Sequence, residues 1–115
     1  MKRDIELIKL LLLEQEGEDV SNELSSYQER EVLYNAVLAI EAGLILGEST
    51  QDNTGEEVGV TLLRLTWEGH DFLDAARDEE AWEHAKAAAA KSGGSLSFEV
   101  LKAVLTTYVK SKLGL

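Results

Sequence analysis

The chain has 115 residues, a formal net charge of −11, and no cysteine or proline. That length fits one domain with a real core, and the lack of cysteine excludes disulfides and thiol chemistry. The charge is uneven, with five Lys/Arg against fourteen Asp/Glu over residues 1–66 and six against eight over 67–115, and such an acidic surface repels phosphate backbones and anionic membranes. The start, "MKRDIELIKLLLLEQEGED", combines basic residues with leucines. Glu6 and Lys9 interrupt it, so it reads as a first helix and not as a signal peptide. That helix spans about Asp4–Glu16. Ile5, Ile8 and Leu12 keep helical spacing, and Leu7 and Leu11 widen the apolar stripe. Apolar runs such as Leu10–Leu13 fall far short of the roughly 18 residues that a membrane span needs. Gly17 stops the helix.

Residues 17–25, "GEDVSNELS", read as a polar connection anchored by Val20 and Leu24, with a short strand near Asp19–Glu23 as one option. A second helix starts after Ser25-Ser26. Ser26 and Glu29 have the spacing of a capping box. Leu33, Val37, Ile40 and Leu44 carry its apolar stripe, and Gly43 ends it as a left-handed cap. The period then changes. "LILGEST" and "EEVGVTLLRLT" flank the turn-forming "QDNTG". Val58, Val60 and Leu62 alternate with Gly59, Thr61 and Leu63, so a β-hairpin is expected over about 44–65.

A third helix opens at Thr66, with Thr66 as its cap and Glu68 in the positive first turn. Asp78 caps a further helix, "EEAWEHAKAAAAK", which Ser92-Gly93-Gly94 break. Ser97 caps the last helix, Leu96 staples onto Leu101, and Phe98, Leu101, Leu105 and Tyr108 form its apolar face. The order is helix, connection, helix, hairpin, helices. That is an α+β, mainly α pattern of winged-helix type with a C-terminal helical extension. One globular unit is expected, with residues 1–66 as the core and 67–115 packed on it.

Four stretches, "MKRDIELIKLLLLE" (1–14), "AIEAGLILGE" (39–48), "LTWEGHDFLDAARDEEAW" (65–82) and "GGSLSFEVLKAVL" (93–105), together resemble the domain-of-unknown-function 2513 family, small proteins of bacteria, phages and prophages. The resemblance implies a winged-helix-like fold and a mobile-element or bacterial origin; a cytoplasmic location in the bacterial host cell is expected, with which the lack of cysteine is compatible. It implies no established activity. The chain departs from a standard winged helix at residues 17–25, which leave little room for a full second helix.

In the 64–82 stretch, Trp67, Phe72, Leu73 and Trp82 are expected to pack at the joins between helices, with an aromatic binding surface as the other reading. Gly69 lets its helix approach a neighbour closely. His70 and Asp74 share a helical face, but two ligands are not a metal site, and a structural hydrogen bond or ion pair is expected. There is no phosphate loop, nucleophile elbow or metal motif. No catalytic residue, cofactor or metal is assigned.

Two binding readings stand. In the first, an acidic face of Glu29, Glu31, Asp52, Glu56 and Glu57 binds a protein partner, for instance a host protein with a basic, nucleic-acid-binding groove. In the second, the exposed start of the second helix reads DNA as a regulator through Ser26, Gln28, Arg30, Tyr34 and Asn35. Residues 14–31 hold seven acids and one Arg, and the wing tip "GESTQDNTGEE" holds four acids and no base, which disfavours DNA. The wide apolar face of the helix over 97–113 suggests a homodimer. The other reading is that neighbouring helices of the same chain cover that face.

Overall fold

A computed structural model describes residues 1–91 and 98–114. Six helices and two strands follow in the order α1 (Ile5–Gln15), α2 (Ser21–Leu24), α3 (Glu29–Glu41), β1 (Ile45–Gln51), β2 (Glu57–Leu65), α4 (Trp67–Ala76), α5 (Glu79–Lys91) and α6 (Phe98–Leu113). The architecture is mainly helical α+β, with a two-stranded antiparallel hairpin after α3 and helices after the hairpin. Two compact units divide it, Met1–His70 and Asp71–Leu115. The predicted Ser92-Gly93-Gly94 break, the Ser97 cap and the Leu96 staple lie outside the described residues.

In the first unit, Asp4 caps α1 by accepting from the N–H groups of Glu6 and Leu7 at 3.0 and 3.1 Å. That removes two of the orphan donors of the first turn. Leu7, Ile8, Leu11 and Leu12 are its buried face. At the C-terminus Gly17 takes φ +88°. This lets the N–H of Glu18 reach the carbonyl of Leu13 at 3.1 Å and that of Gly17 reach Glu14 at 3.0 Å, the paired bonds of a Schellman end.

Within the connection over residues 17–25, Ser21–Leu24 form a helical turn where a short strand near Asp19–Glu23 is one expectation. The Asp19 carboxylate accepts from both the N–H and the hydroxyl of Ser21 at 3.1 and 2.6 Å. Those bonds turn the chain into the single turn α2. Val20 is buried and Leu24 half-buried beneath it, as anchors should be. Ser26 does not cap α3. Its hydroxyl donates back to the carbonyl of Glu23 at 2.8 Å and closes α2 instead. The cap of α3 is Gln28, whose N–H donates to the Glu31 carboxylate at 3.1 Å. The capping box therefore lies two residues later than the Ser26/Glu29 reading, because the backbone of Ser26 still belongs to the turn that closes α2, its N–H donating to Glu23 at 3.3 Å.

The buried side of α3 is made of Asn35, Ala36, Val37 and Ala39. Of the expected stripe, Val37 and Leu44 are buried, and Leu33 and Ile40 are half-buried. Ala36 joins Leu7 and Leu11 in one cluster, and a small residue there lets two helices approach closely. Gly43 at φ +76° ends the helix, and the N–H groups of Leu44 and Gly43 bond Ala39 and Ile40 at 3.0 and 2.9 Å. A left-handed glycine cap was expected at this position.

The hairpin pairs Ile45 with Leu65 and Gln51 with Glu57, with irregularities between Leu46 and Gly47 and between Thr50 and Gln51. At each break β2 carries one extra residue, Leu63 or Val58. A bulge flips the side-chain phase of the strand residues beyond it. This is why Val58, expected on the face of Val60 and Leu62, is exposed, as Leu63 is.

Asp52 shapes the turn. Its carboxylate accepts from the Thr54 hydroxyl at 2.6 Å, the Thr54 N–H at 2.8 Å and the Glu56 N–H at 3.0 Å. The Thr54 hydroxyl first, and then these backbone donors, hold the Asp52 carboxyl below the usual carboxylate range. A folded value below the unfolded one means that the turn's contribution is complete above the unfolded value and is lost as pH falls through the folded one. A carbon-detected NMR titration is expected to place the Asp52 midpoint below that of an ordinary aspartate. A midpoint at or above the ordinary value would show that these bonds do not form in solution.

In the second unit, Asp78 caps α5 by accepting from the N–H of Ala81 at 3.0 Å, as expected. Phe72 stands edge-on to Trp82 with centroids 6.2 Å apart, and it lies 5.4 Å from Phe98. Such edge and tilted pairs add to the stabilisation from area burial alone. Leu101 and Leu105 of α6 are buried. Tyr108 stacks near His84, and its hydroxyl donates to Glu80 at 3.0 Å. Lys112 donates to Asp78 at 2.9 Å. Much of the apolar face proposed for a dimer is thus in contact with its own unit, while Val100 and Leu113 stay exposed.

Candidate functional site

The acidic reading and the DNA reading invoke neighbouring stretches, the start of α3 and the turn of the hairpin. Tertiary structure brings the two together in the first unit. A small concavity of about 120 Å³ is lined by Arg30, Leu33 and Tyr34 of α3, by Glu56 and Glu57 of the hairpin, and by Met1. Across it the Arg30 guanidinium pairs with the Glu56 carboxylate at 3.6 Å. Glu57 accepts from the Gln51 side chain at 3.1 Å through one carboxylate oxygen. The other oxygen is buried and has no hydrogen-bond partner among the described residues.

Each predicted residue has a definite place. Glu29 is exposed, and Glu31 is half-buried and engaged at the Gln28 cap. Asp52 is occupied in the turn. Glu56 and Glu57 face α3 from the hairpin. In the DNA set, Gln28 and Arg30 are exposed and Tyr34 is half-buried.

Asn35, placed by its spacing on the exposed start of the helix, is buried with 1% exposure. Its side-chain oxygen accepts from the N–H of Asp4 at 2.8 Å. Its amide donates to the carbonyls of Glu31 and Lys2 at 3.0 and 3.4 Å. Asn35 therefore ties the chain before α1 to α3 and has no edge left for a base. Ser26 is exposed, but its hydroxyl donates to Glu23.

The stretch over residues 64–82 resolves into packing with one exception. Phe72, Leu73 and Trp82 are buried, but Trp67 is 82% exposed. Thr66 caps α4 by accepting from the N–H of Gly69 at 2.9 Å, and Gly69 faces the backbone of Leu44. Trp67 precedes Gly69 by two residues, which places it about 200° around the helix, on the opposite side. Trp67→Ala is expected to change stability by no more than about 0.5 kcal/mol, as for other open surface positions. Chemical denaturation monitored through the remaining tryptophan checks this. A loss of several kcal/mol would mean that Trp67 packs in solution.

His70 pairs with Glu16 at 3.5 Å, an ion pair when the ring is protonated, as the structural reading of this residue expected. Among the described residues no three His, Cys, Asp or Glu side chains converge as a metal site would require. Among them, too, no helix is long and apolar enough to cross a membrane.

Comparison with known proteins adds three findings. The sequence model of a family described as "Hypothetical protein (DUF2513)" matches residues 2–95. An uncharacterized protein of Haemophilus influenzae is 28% identical over 119 residues, covering 98% of this chain and 99% of that protein. No solved structure matches the chain significantly.

Proposed function

The chain belongs to the DUF2513 family, and from that footing we propose that it is a non-catalytic interaction module whose acidic α3-and-hairpin face binds a basic surface on a protein partner. One observation carries the reading. Arg30 is the single base among residues 14–31, and it faces Glu56 across the concavity instead of standing alone. An exposed pair of this kind contributes little to stability. It does cancel the one positive charge that a phosphate would seek at the start of α3.

The surrounding field is negative, with residues 1–66 carrying five bases against fourteen acids. At physiological salt the Debye length is about 8 Å, so at contact range this face still attracts a basic surface and repels a phosphate backbone. A partner that itself binds nucleic acid has the required basic groove. The second reading, a DNA-binding regulator, keeps Gln28, Arg30 and Tyr34 but loses Asn35 to the interior.

Duplex DNA titrated at about 50 and 200 mM salt separates the two. The expected result is no micromolar binding at either salt and no change on Arg30→Ala. Micromolar or tighter binding that weakens steeply with salt and disappears with Arg30→Ala would make the regulator the better account. For a protein partner, joint neutralisation of Glu29, Glu31, Glu56 and Glu57 to glutamine is expected to abolish binding. Undiminished binding by that variant would remove the acidic-face reading.

A further inference from the structure

α2 is only one turn long, and a helix that short leaves part of the core beside it uncovered. Leu24, Tyr27, Val32 and Val60 pack against the Leu7–Leu11–Ala36 cluster but are only partly buried. Together with Leu33 they line an open groove of about 560 Å³ formed by α2, the start of α3 and β2. That volume is in the range of grooves and clefts that hold ligands. The charged residues lining it, Glu14 and Glu29, are both acidic and both exposed. Tyr27 on the groove wall lies near further acids. Its phenol is held above the usual tyrosine value by burial first, and then by Asp4, Glu6 and Glu31.

We infer that this groove seats the apolar anchors of a basic amphipathic segment of the partner protein, with leucine-like side chains on the floor and flanking Lys or Arg at Glu14 and Glu29. The inference rests on the acidic-face reading and adds to it where the partner docks and what chemistry it carries. Both halves of the chemistry are needed. An apolar floor continuous with the core gains from excluding water, and an acidic rim selects the sign of what approaches. Nucleic acid satisfies neither, because it has no aliphatic anchor and its phosphates meet two carboxylates. An anionic membrane surface meets the same repulsion. The amphipathic helix laid into an apolar groove is a general mode of peptide recognition. Leu33 also lines the smaller concavity that holds Arg30 and Glu56, so the groove and the acidic face adjoin along α3.

The test uses the whole protein and three capped peptides of about 15 residues, long enough to form helix. One is an amphipathic Leu/Lys peptide, one replaces each Leu by Ser, and one replaces each Lys by Glu. Binding is followed by NMR shifts of the protein. The Leu/Lys peptide is expected to move the resonances of Leu24, Tyr27, Val32, Leu33 and Val60, and to bind at least about tenfold tighter than the Ser/Lys peptide, as burial of one aliphatic anchor requires. Leu33→Ser is expected to erase that difference. Glu29→Lys, at an exposed position where the fold is not at risk, is expected to weaken the Lys-bearing peptides and not the Leu/Glu peptide. Equal affinity for the Leu/Lys and Ser/Lys peptides, with shifts confined to Asp52, Glu56 and Glu57, overturns the groove and leaves the acidic face standing. Equal affinity for the Leu/Lys and Leu/Glu peptides overturns a basic occupant. No response to any of the three removes both the groove and the acidic face.

Discussion

Gly69→Ala is expected to lower the thermal unfolding midpoint by roughly 10 °C, the shift that a loss of about 2–3 kcal/mol produces in a domain near this size. A Cβ at residue 69 would stand 2.0 Å from the carbonyl oxygen of Leu44, 3.0 Å from its carbonyl carbon and 3.3 Å from its Cα. These are backbone atoms, so no rotamer change relieves the overlap. Retreat of the strand is also blocked. The carbonyl of Leu44 already accepts from the N–H of Thr66 at 3.0 Å, and the Thr66 hydroxyl donates to the neighbouring carbonyl of Gly43. The Thr66 hydroxyl is in turn the acceptor for the N–H of Gly69. Moving α4 away therefore breaks the cap that starts it. In the other direction, alanine gains about 1 kcal/mol of helix propensity over glycine, but overpacking against a backbone atom is expected to cost about 3–4 kcal/mol, at or beyond the upper end of the usual range, which leaves the net loss. Gly59→Ala is the control, since its nearest neighbour would be the Cβ of Thr50 at 4.0 Å. It is expected to leave the midpoint within a few degrees. A Gly69→Ala midpoint equal to that of the control would show that α4 does not close onto Leu44.

Asn35→Ala is expected to cost about 2–3 kcal/mol, the penalty for a buried side chain whose removal leaves a polar partner unsatisfied. The N–H of Asp4 loses its acceptor, and that same Asp4 caps α1 through its side chain. The damage therefore falls on the start of α1. Hydrogen exchange is expected to rise at Asp4–Leu7 before it rises elsewhere. Asn35→Asp is expected to be comparably harmful, because a carboxylate can accept from Asp4 but cannot donate to the carbonyls of Glu31 and Lys2. If Asn35→Ala instead left stability and exchange unchanged, the residue would be free of these bonds and would return to the set that can read a base. Its burial therefore bears on function as well as on stability.

Local sequence determined the punctuation of this chain. Gly17, Gly43, Thr66 and Asp78 act where their chemistry placed them, because a cap or a left-handed turn depends on a residue and the few beside it. The change of period after Gly43 marked the hairpin for the same reason, and the acidity of the α3 and wing stretches was plain from composition. Local competition misled once. Ser26 and Glu29 have the spacing of a capping box, but Gln28 and Glu31 provide the cap, since the backbone of Ser26 is still part of the turn that closes α2. Facts of a different kind required the assembled fold. Asn35 is polar and falls within the stretch read as the exposed start of the second helix. Only the arrival of residues 2–4 over α3 turns it into a buried clamp. Val58 follows the alternation of β2, but a bulge set by the partner strand moves it outward. Trp67 has the composition of a core residue, but the approach of Gly69 to Leu44 fixes the rotation of α4 and leaves the indole in solvent. The pairing of Arg30 with Glu56 and the groove beside α2 join residues far apart in the chain. Caps are short-range interactions that a few neighbours decide, whereas burial depends on which distant segments arrive, and that is settled only when the helices and the hairpin have packed.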